Sequence, residues 1–314
     1  METNSVKKLG KRLQNWGKWG YEDELGTINY ITPEKVVQAS RLVKQGKIFS
    51  LSIAFERDGP QGAQSRRLNT ILLMQATGTD VAAGVAKAKR GSLMWAEDMV
   101  IMSPHGATHW DALAHMFCDD MMYNKVPCSM VSSRGARKNS IMPVSKRIVS
   151  RGVLLDLPLS KQVHALEPGY VITLNDLDEC CQKQGVTVQS GDIVLLRTGH
   201  MARFLEKKTW EGYDQLDLCP GLSWRATPWF HDHQVAAVAS DMMGLDAYNE
   251  TPEEWFPIHL IFLVNMGLMI GEVWYLDELA RDCANDGTYE FLLVANPLPL
   301  KGAVGGPVNP TAIK

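Results

Sequence analysis

Between Ser103 and His115 the chain reads SPHGATHWDALAH, which holds three of its eight histidines and an aspartate. Neutral imidazole and carboxylate are ligands for borderline divalent metals such as zinc or manganese. His105 and His109 are four residues apart, and Asp111 follows two later. In a helix, 105 and 109 would share a face. In an extended segment, 109 and 111 would. Either conformation lets three ligands converge, and the small Gly106 and Ala107 let the backbone come close to an ion. His115, four beyond Asp111, fits either a fourth ligand or a general acid/base beside the metal. The bland alternative is a set of unrelated surface or core histidines, because short metal patterns produce false positives.

A metal also needs ligands from elsewhere in the chain. His259 lies in the apolar run WFPIHLIFLV, where a buried, satisfied histidine is the default. Glu272, in MGLMIGEVW, is as misplaced, since a buried carboxylate is costly unless it is paired or bound to an ion. The two residues explain each other if both reach a cation. His231 and His233, in WFHDH, fit a ligand pair or a solvated helix end. His200 follows a strand, where loops often line sites. His164 reads as exposed. Asp241 and Asp246, in SDMMGLDAYN, either support the site or cap a loop. Arg197 binds a substrate carboxylate or pairs with an internal acid, and the second is favoured.

The elements that must position these groups are legible in part. Thr32 and Pro33 begin a helix that stops at Gly46. KIFSLSIAF alternates with period two and reads as a strand, and LNTILLMQA and AEDMVIMS are further strands. RGVLLDL, GDIVLLRTG and QVAAVASD are continuous apolar runs suited to strands buried on both faces. Thr173 caps a helix over LNDLDECCQKQ that ends at Gly185, and WYLDELARDCAND forms another, closed by Gly287. YEFLLVANPLPL is a late strand, and the tail GGPVNPTAIK reads as irregular. The alternation of strands and helices gives an α/β class. No repeat or linker divides the 314 residues, so a single domain spans 1–314, with about residues 1–30 as an N-terminal extension.

Composition narrows the partners. A net charge of −3 with scattered basic residues gives no expectation of nucleic acid, and the run SRRL at Arg66 and Arg67 is too short to track phosphates. The polar start METNSVKKLGKRLQNW is not a secretory signal. No apolar run approaches the roughly 20 residues of a membrane helix. None of the six cysteines forms a CxxC pair. Reduced thiols in a cytoplasmic protein are expected, and a cysteine zinc site is not.

PHGATHWDALAH resembles the HxGTHxDxPxH motif of the cyclase-like metal hydrolases, the family that includes bacterial kynurenine formamidase and isatin hydrolase. DELGTINYITPEKV, GDIVLLRTG and GEVWYLDELARDCANDGTYEFLLVANPLPLKGAVGGPVNP also look like segments of its longer members. The resemblance covers most of the chain from about Asp23. It implies a swivelling β/β/α domain assembled as a homo-oligomer, a dimer or tetramer. It implies one divalent metal held by His105, His109 and Asp111, zinc or alternatively manganese. Where a second ion binds, Asp111 would bridge and His259 and Glu272 would complete its site. His115 matches the general acid/base. Ala107 and Leu113 depart from the family's glycine and proline without removing a ligand, which leaves the shape of the pocket open.

These residues lead to a metal-dependent hydrolase that cleaves a C–N or C–O acyl bond of a small cyclic or aryl amide, lactam or lactone. No GxSxG nucleophile elbow is present. Trp110 and Tyr123 are expected to line the substrate pocket, and Trp16, Trp19 and Tyr21 to pack in the core, at an interface or over a neighbour's site. The rivals are a metal-dependent cyclase or dehydratase of a small carbonyl compound, and a non-catalytic metal or small-molecule binding protein.

Overall fold

The computed structural model describes residues 5–62, 65–251 and 254–314. Eleven strands carry the architecture: β1 (Ile48–Ser50), β2 (Ile71–Ala76), β3 (Glu97–Ile101), β4 (His109–Asp111), β5 (Val149–Asp156), β6 (Ile193–Arg197), β7 (Ala237–Ser240), β8 (Met269–Glu272), β9 (Glu290–Val294), β10 (Gly305–Pro307) and β11 (Thr311–Ile313). Nine of them form one sheet in the order β1-β11-β9-β5-β6-β7-β8-β4-β10. The central four, β5 to β8, are parallel. Antiparallel strands flank them on both sides.

The parallel core forms because its segments have no polar face. Val153–Leu155, Ile193–Leu196 and Ala237–Ala239 are fully buried, as strands covered by helices on both sides must be. The helix Leu174–Gln184 connects β5 to β6. It starts with a capping box between Thr173 and Asp176 and ends at Gly185 with φ of 67°, a left-handed conformation that glycine adopts without steric cost. Between β7 and β8 the chain turns through Pro257–His259 into a π-helical segment, Leu260–Met266, buried throughout.

Several sequence expectations meet tertiary pairing. The helix from Pro33 ends at Ser40, not at Gly46. Beyond it, Gln45 donates to the Lys314 carbonyl and the Lys314 amide donates to that of Lys47, so the C-terminus takes up this stretch. KIFSLSIAF contributes only the three residues of β1 and one isolated bridge, Ser52 to Trp274. The tail is not irregular: it supplies β10 and β11, both within the main sheet. Gly-Gly-Pro has no strand propensity of its own, and its conformation comes from hydrogen bonding to β4.

The N-terminal residues are part of the body. The helix Val6–Arg12 packs on the π-helical segment. Asn15 Nδ2 donates to Met266 O, and Trp16 Nε1 to Val264 O at 2.7 Å. The indole of Trp16 therefore anchors the N-terminal segment to the π-helical segment. Strands β2 and β3 pair as a hairpin outside the main sheet. Leu72, Leu73, Met74, Met99, Val100 and Ile101 on it are all exposed.

Candidate metal centre

β4 lies between β8 and β10, with Glu272 opposite His109 and Gly305 opposite Asp111. The extended reading of the motif is the one realised. Side chains alternate across a strand, so His109 and Asp111 face the same side while Trp110 turns away. His105 approaches from the turn before β4, and His259 from the start of the helix ahead of β8. All five side chains are buried.

Their polar atoms converge in an ordered way. Oδ1 of Asp111 lies 3.3 Å from Nε2 of both His105 and His109, and Oδ2 lies 3.4 Å from Nε2 of His259. Glu272 mirrors this, with Oε2 at 3.4 Å from His109 and Oε1 at 3.3 Å from His259. The two carboxylates thus each turn one oxygen to each half of the cluster. Nε2 of His105 and His109, both oxygens of Asp111 and Oε2 of Glu272 are buried without a hydrogen-bond partner. Such groups are expensive to bury unless something compensates them. A divalent ion does so, and the spacing fits: ligands about 2.0–2.1 Å from a tetrahedral zinc stand about 3.3–3.4 Å from each other. Two ligand groups share Asp111, namely His105–His109–Asp111 and Asp111–His259–Glu272.

Surrounding groups aim the ligands. Nδ1 of His109 is 2.7 Å from the Ala107 carbonyl, and Nδ1 of His259 is 2.5 Å from Oδ2 of Asp246. Each contact places the ring proton on Nδ1 and leaves Nε2 as a lone pair for the centre. The other oxygen of Asp246 accepts the Ile258 amide. Gly305 makes room: a Cβ there would lie 2.2 Å from Nε2 of His105. Val273, directly after Glu272, has φ of 62°, an outlier for a β-branched residue that costs about 1–3 kcal/mol. Thr108 Oγ1 donates to its carbonyl at 2.6 Å, and its own amide donates to Met242 O. These bonds hold the strained residue and with it the orientation of Glu272.

The electrostatics follow from burial against pairing. Burial disfavours a charged His109, but Asp111 and Glu272 outweigh it and raise its pKa to about 9. Burial likewise opposes charge on His259, and the Asp246 and Asp111 carboxylates raise it well above 6.5. Without an ion the ionised carboxylates keep protons on these two imidazoles, and a dication would displace them. Burial lowers the pKa of both His105 and His115, so His115 is neutral at pH 7. Its ring centroid lies 4.4 Å from that of His105 and 6.5 Å from that of His259.

A cavity of about 1040 Å³ opens onto this cluster and is lined by His115, His259 and Glu272. Its aromatic wall corrects the expected one. Trp110 is fully buried, with Nε1 donating to Ala295 O and its ring edge-on to Trp274. Tyr123 is buried against Gly267, with its hydroxyl donating to Asp23. Neither lines the cavity, because the strand pleat and the core claim them. Trp210, Tyr248, Trp255 and Phe256 do. Phe256 preceded His259 in a run already singled out, and its spacing alone carried no signal of a wall.

The other candidates separate cleanly. His164 is exposed beside Glu206, and His231 pairs with Asp232 at a helix end. His200 starts the helix His200–Lys207 and faces Cys219 and Tyr213, away from the cavity. Arg197 pairs with Asp156 and Asp277. Asp241 accepts from the Thr198 and Gly199 amides and is structural, whereas Asp246 supports the centre. Sequence reasoning passed over Gly305 and Arg67, whose proximity to the site depends on distant pairing.

A mixed α/β sheet that brings three histidines and two carboxylates to the floor of a cavity defines a protein with a candidate divalent-metal centre. The family model for cyclases ("Putative cyclase") matches residues 49–247, and this chain belongs to that family. The match spans the His105–His115 motif and stops short of His259 and Glu272. The crystal structure of a novel cyclase superposes with a TM-score of 0.87 at 38% identity, over 96% of this chain and 99% of that one. Isatin hydrolase A from Ralstonia solanacearum gives 0.63 at 16% identity, over 90% of this chain and 97% of its own. A predicted metal-dependent hydrolase from Bacillus stearothermophilus gives 0.55 at 19%, over 86% and 98%. At these last two identities the likeness is one of fold. A comparison with curated proteins finds no match.

Proposed function

We propose that this chain is a metal-dependent hydrolase that cleaves the C–N or C–O acyl bond of a small cyclic or aryl amide, lactam or lactone. The observation that carries the reading is the set of orphaned imidazole and carboxylate atoms beneath an open cavity, with His115 beside them. His105, His109, Asp111, His259 and Glu272 would hold the ion. A divalent cation supplies Lewis-acid polarisation of a carbonyl and acidifies water. Zinc is the first choice, with manganese as the alternative, and the shared carboxylates favour two ions per chain.

His115 is the proton carrier. It is neutral at pH 7 and partly exposed to the cavity, so its ring can take a proton from attacking water and return it to the departing nitrogen or oxygen. The aromatic wall holds an apolar body. Removal of metal by chelator should abolish hydrolysis of an aryl amide and lactone panel, and zinc or manganese should restore it. His115→Ala, folded and metal-loaded, should lose about 10²–10⁴-fold in kcat; full activity would remove the assigned role. Oxygen-18 water separates hydrolysis from the cyclase or dehydratase reading, since only hydrolysis labels the product acid.

A homo-oligomer and a cytoplasmic location belong to the same reading. The β2–β3 hairpin exposes apolar side chains from both strands, and an isolated two-stranded ribbon is marginal in water. A second copy would cover it, and the solution mass tests this. All six cysteines are free, as in a reducing compartment. No helix among the described residues is long and apolar enough to cross a membrane.

A further inference from the structure

Arg67 lines the cavity beside the candidate centre, on the loop that leads into β2. Its Nη1 lies 3.7 Å from Oε2 of Glu272 and donates to the His105 carbonyl at 3.4 Å. The first separation is an ion contact, too long for a hydrogen bond. No other acceptor meets its guanidinium among the described residues, and the side chain is 30% exposed. Of the five N–H donors of an arginine, most are therefore left without a protein acceptor in a residue that lines the cavity.

Its place is built. The Arg67 amide donates to Ser65 Oγ, Ser65 Oγ donates to Gln61 Oε1, and Gln61 Nε2 donates to the Gly106 carbonyl. The loop is thereby tied to the segment that carries His105. The same cavity carries an apolar surface: the rings of Trp255 and Phe256 are 5.8 Å apart, and those of Phe256 and His259 are 5.3 Å apart. If Glu272 coordinates a dication, a guanidinium this near it is repelled unless an anion lies between them. A planar fork of N–H donors matches a carboxylate.

We propose that Arg67 is the carboxylate receptor of this cavity, and that it binds the aryl carboxylate formed when an aroyl amide, ester or benzo-fused lactam or lactone is opened. The inference rests on the hydrolase reading and sharpens its substrate class. In that reaction water adds to the acyl carbon, the C–N or C–O bond breaks, and a proton goes to the leaving atom. The acid then ionises, and its carboxylate is held by the Arg67 fork while the ring stays on the aromatic wall.

Calorimetric titration of the zinc-loaded full chain with benzoate and with neutral benzamide tests the receptor without turnover. Benzoate should bind the wild type and bind Arg67→Gln about tenfold or more weakly, since a charge-assisted pair is lost. Arg67→Lys should fall between them, and benzamide should bind all three alike. Zinc stoichiometry and thermal midpoint verify that each variant is loaded and folded. Equal benzoate affinity in wild type and Arg67→Gln overturns the proposal, as does a loaded wild type that binds no benzoate. Arginine-dependent benzoate binding in a chain that hydrolyses no amide, lactam or lactone would instead sink the hydrolase reading and leave the receptor standing.

Discussion

Asp246 orients His259: its Oδ2 lies 2.5 Å from Nδ1 of the imidazole, and its Oδ1 accepts the Ile258 amide at 2.6 Å. One carboxylate thereby sets both the ring and the backbone entering the helix that carries it. Asp246→Asn keeps the shape and the bond to Ile258 but removes the charge. We expect metal affinity to fall about 10–100-fold with the fold intact, as read by competition against a chelator of known affinity and by far-ultraviolet circular dichroism.

Gly305 is the residue whose side chain would displace a ligand. Its added Cβ would stand 2.2 Å from Nε2 of His105, within a strand paired to β4. Gly305→Ala should drive His105 from its place and lower the bound metal per chain, measured by elemental analysis after gel filtration. Unchanged stoichiometry and affinity would mean that His105 is not a ligand.

Trp110 lies beside two ligands in sequence and on the opposite face in space. Trp110→Phe removes the Nε1 donor to Ala295 O and leaves that carbonyl unpaired, which costs about 1–3 kcal/mol. The thermal midpoint should fall while KM for any accepted substrate stays within twofold. A change in KM with no loss of stability would restore Trp110 to the pocket.

Acid stability should report on His200. Burial lowers its pKa to about 4, against about 6.5 in the unfolded chain. Between those values the unfolded state binds more protons, so folding stability is present above pH 6.5 and is lost as pH falls towards 4. The loss is on the order of 3 kcal/mol. Chemical denaturation of the chelator-treated protein at pH 7 and pH 4.5 should show a smaller difference for His200→Gln than for the wild type.

The sequence by itself determined the ligand types and their spacing, the strands buried on both faces and the capped helix over Leu174–Gln184. Each is a local property: side-chain periodicity, a cap, or an apolar run too long to leave in water. That the motif is extended, with His109 and Asp111 on one face, was decided by the pairing of β4 with β8 and β10. His259 and Glu272 were legible as misfits, because an ionisable group in an apolar segment demands a partner. Only the tertiary structure decided which partner. Glu272 faces His109 through the register of β8 on β4, and Gly305 clears the space for His105 through that of β10 on β4. The same pairing made a strand of Gly-Gly-Pro, which has no strand propensity of its own, and turned Trp110 into the core; the loop bonds through Ser65 and Gln61 brought Arg67 to the rim of the centre. Hydrogen bonding between segments far apart in the chain sets those contacts, and no local pattern records it.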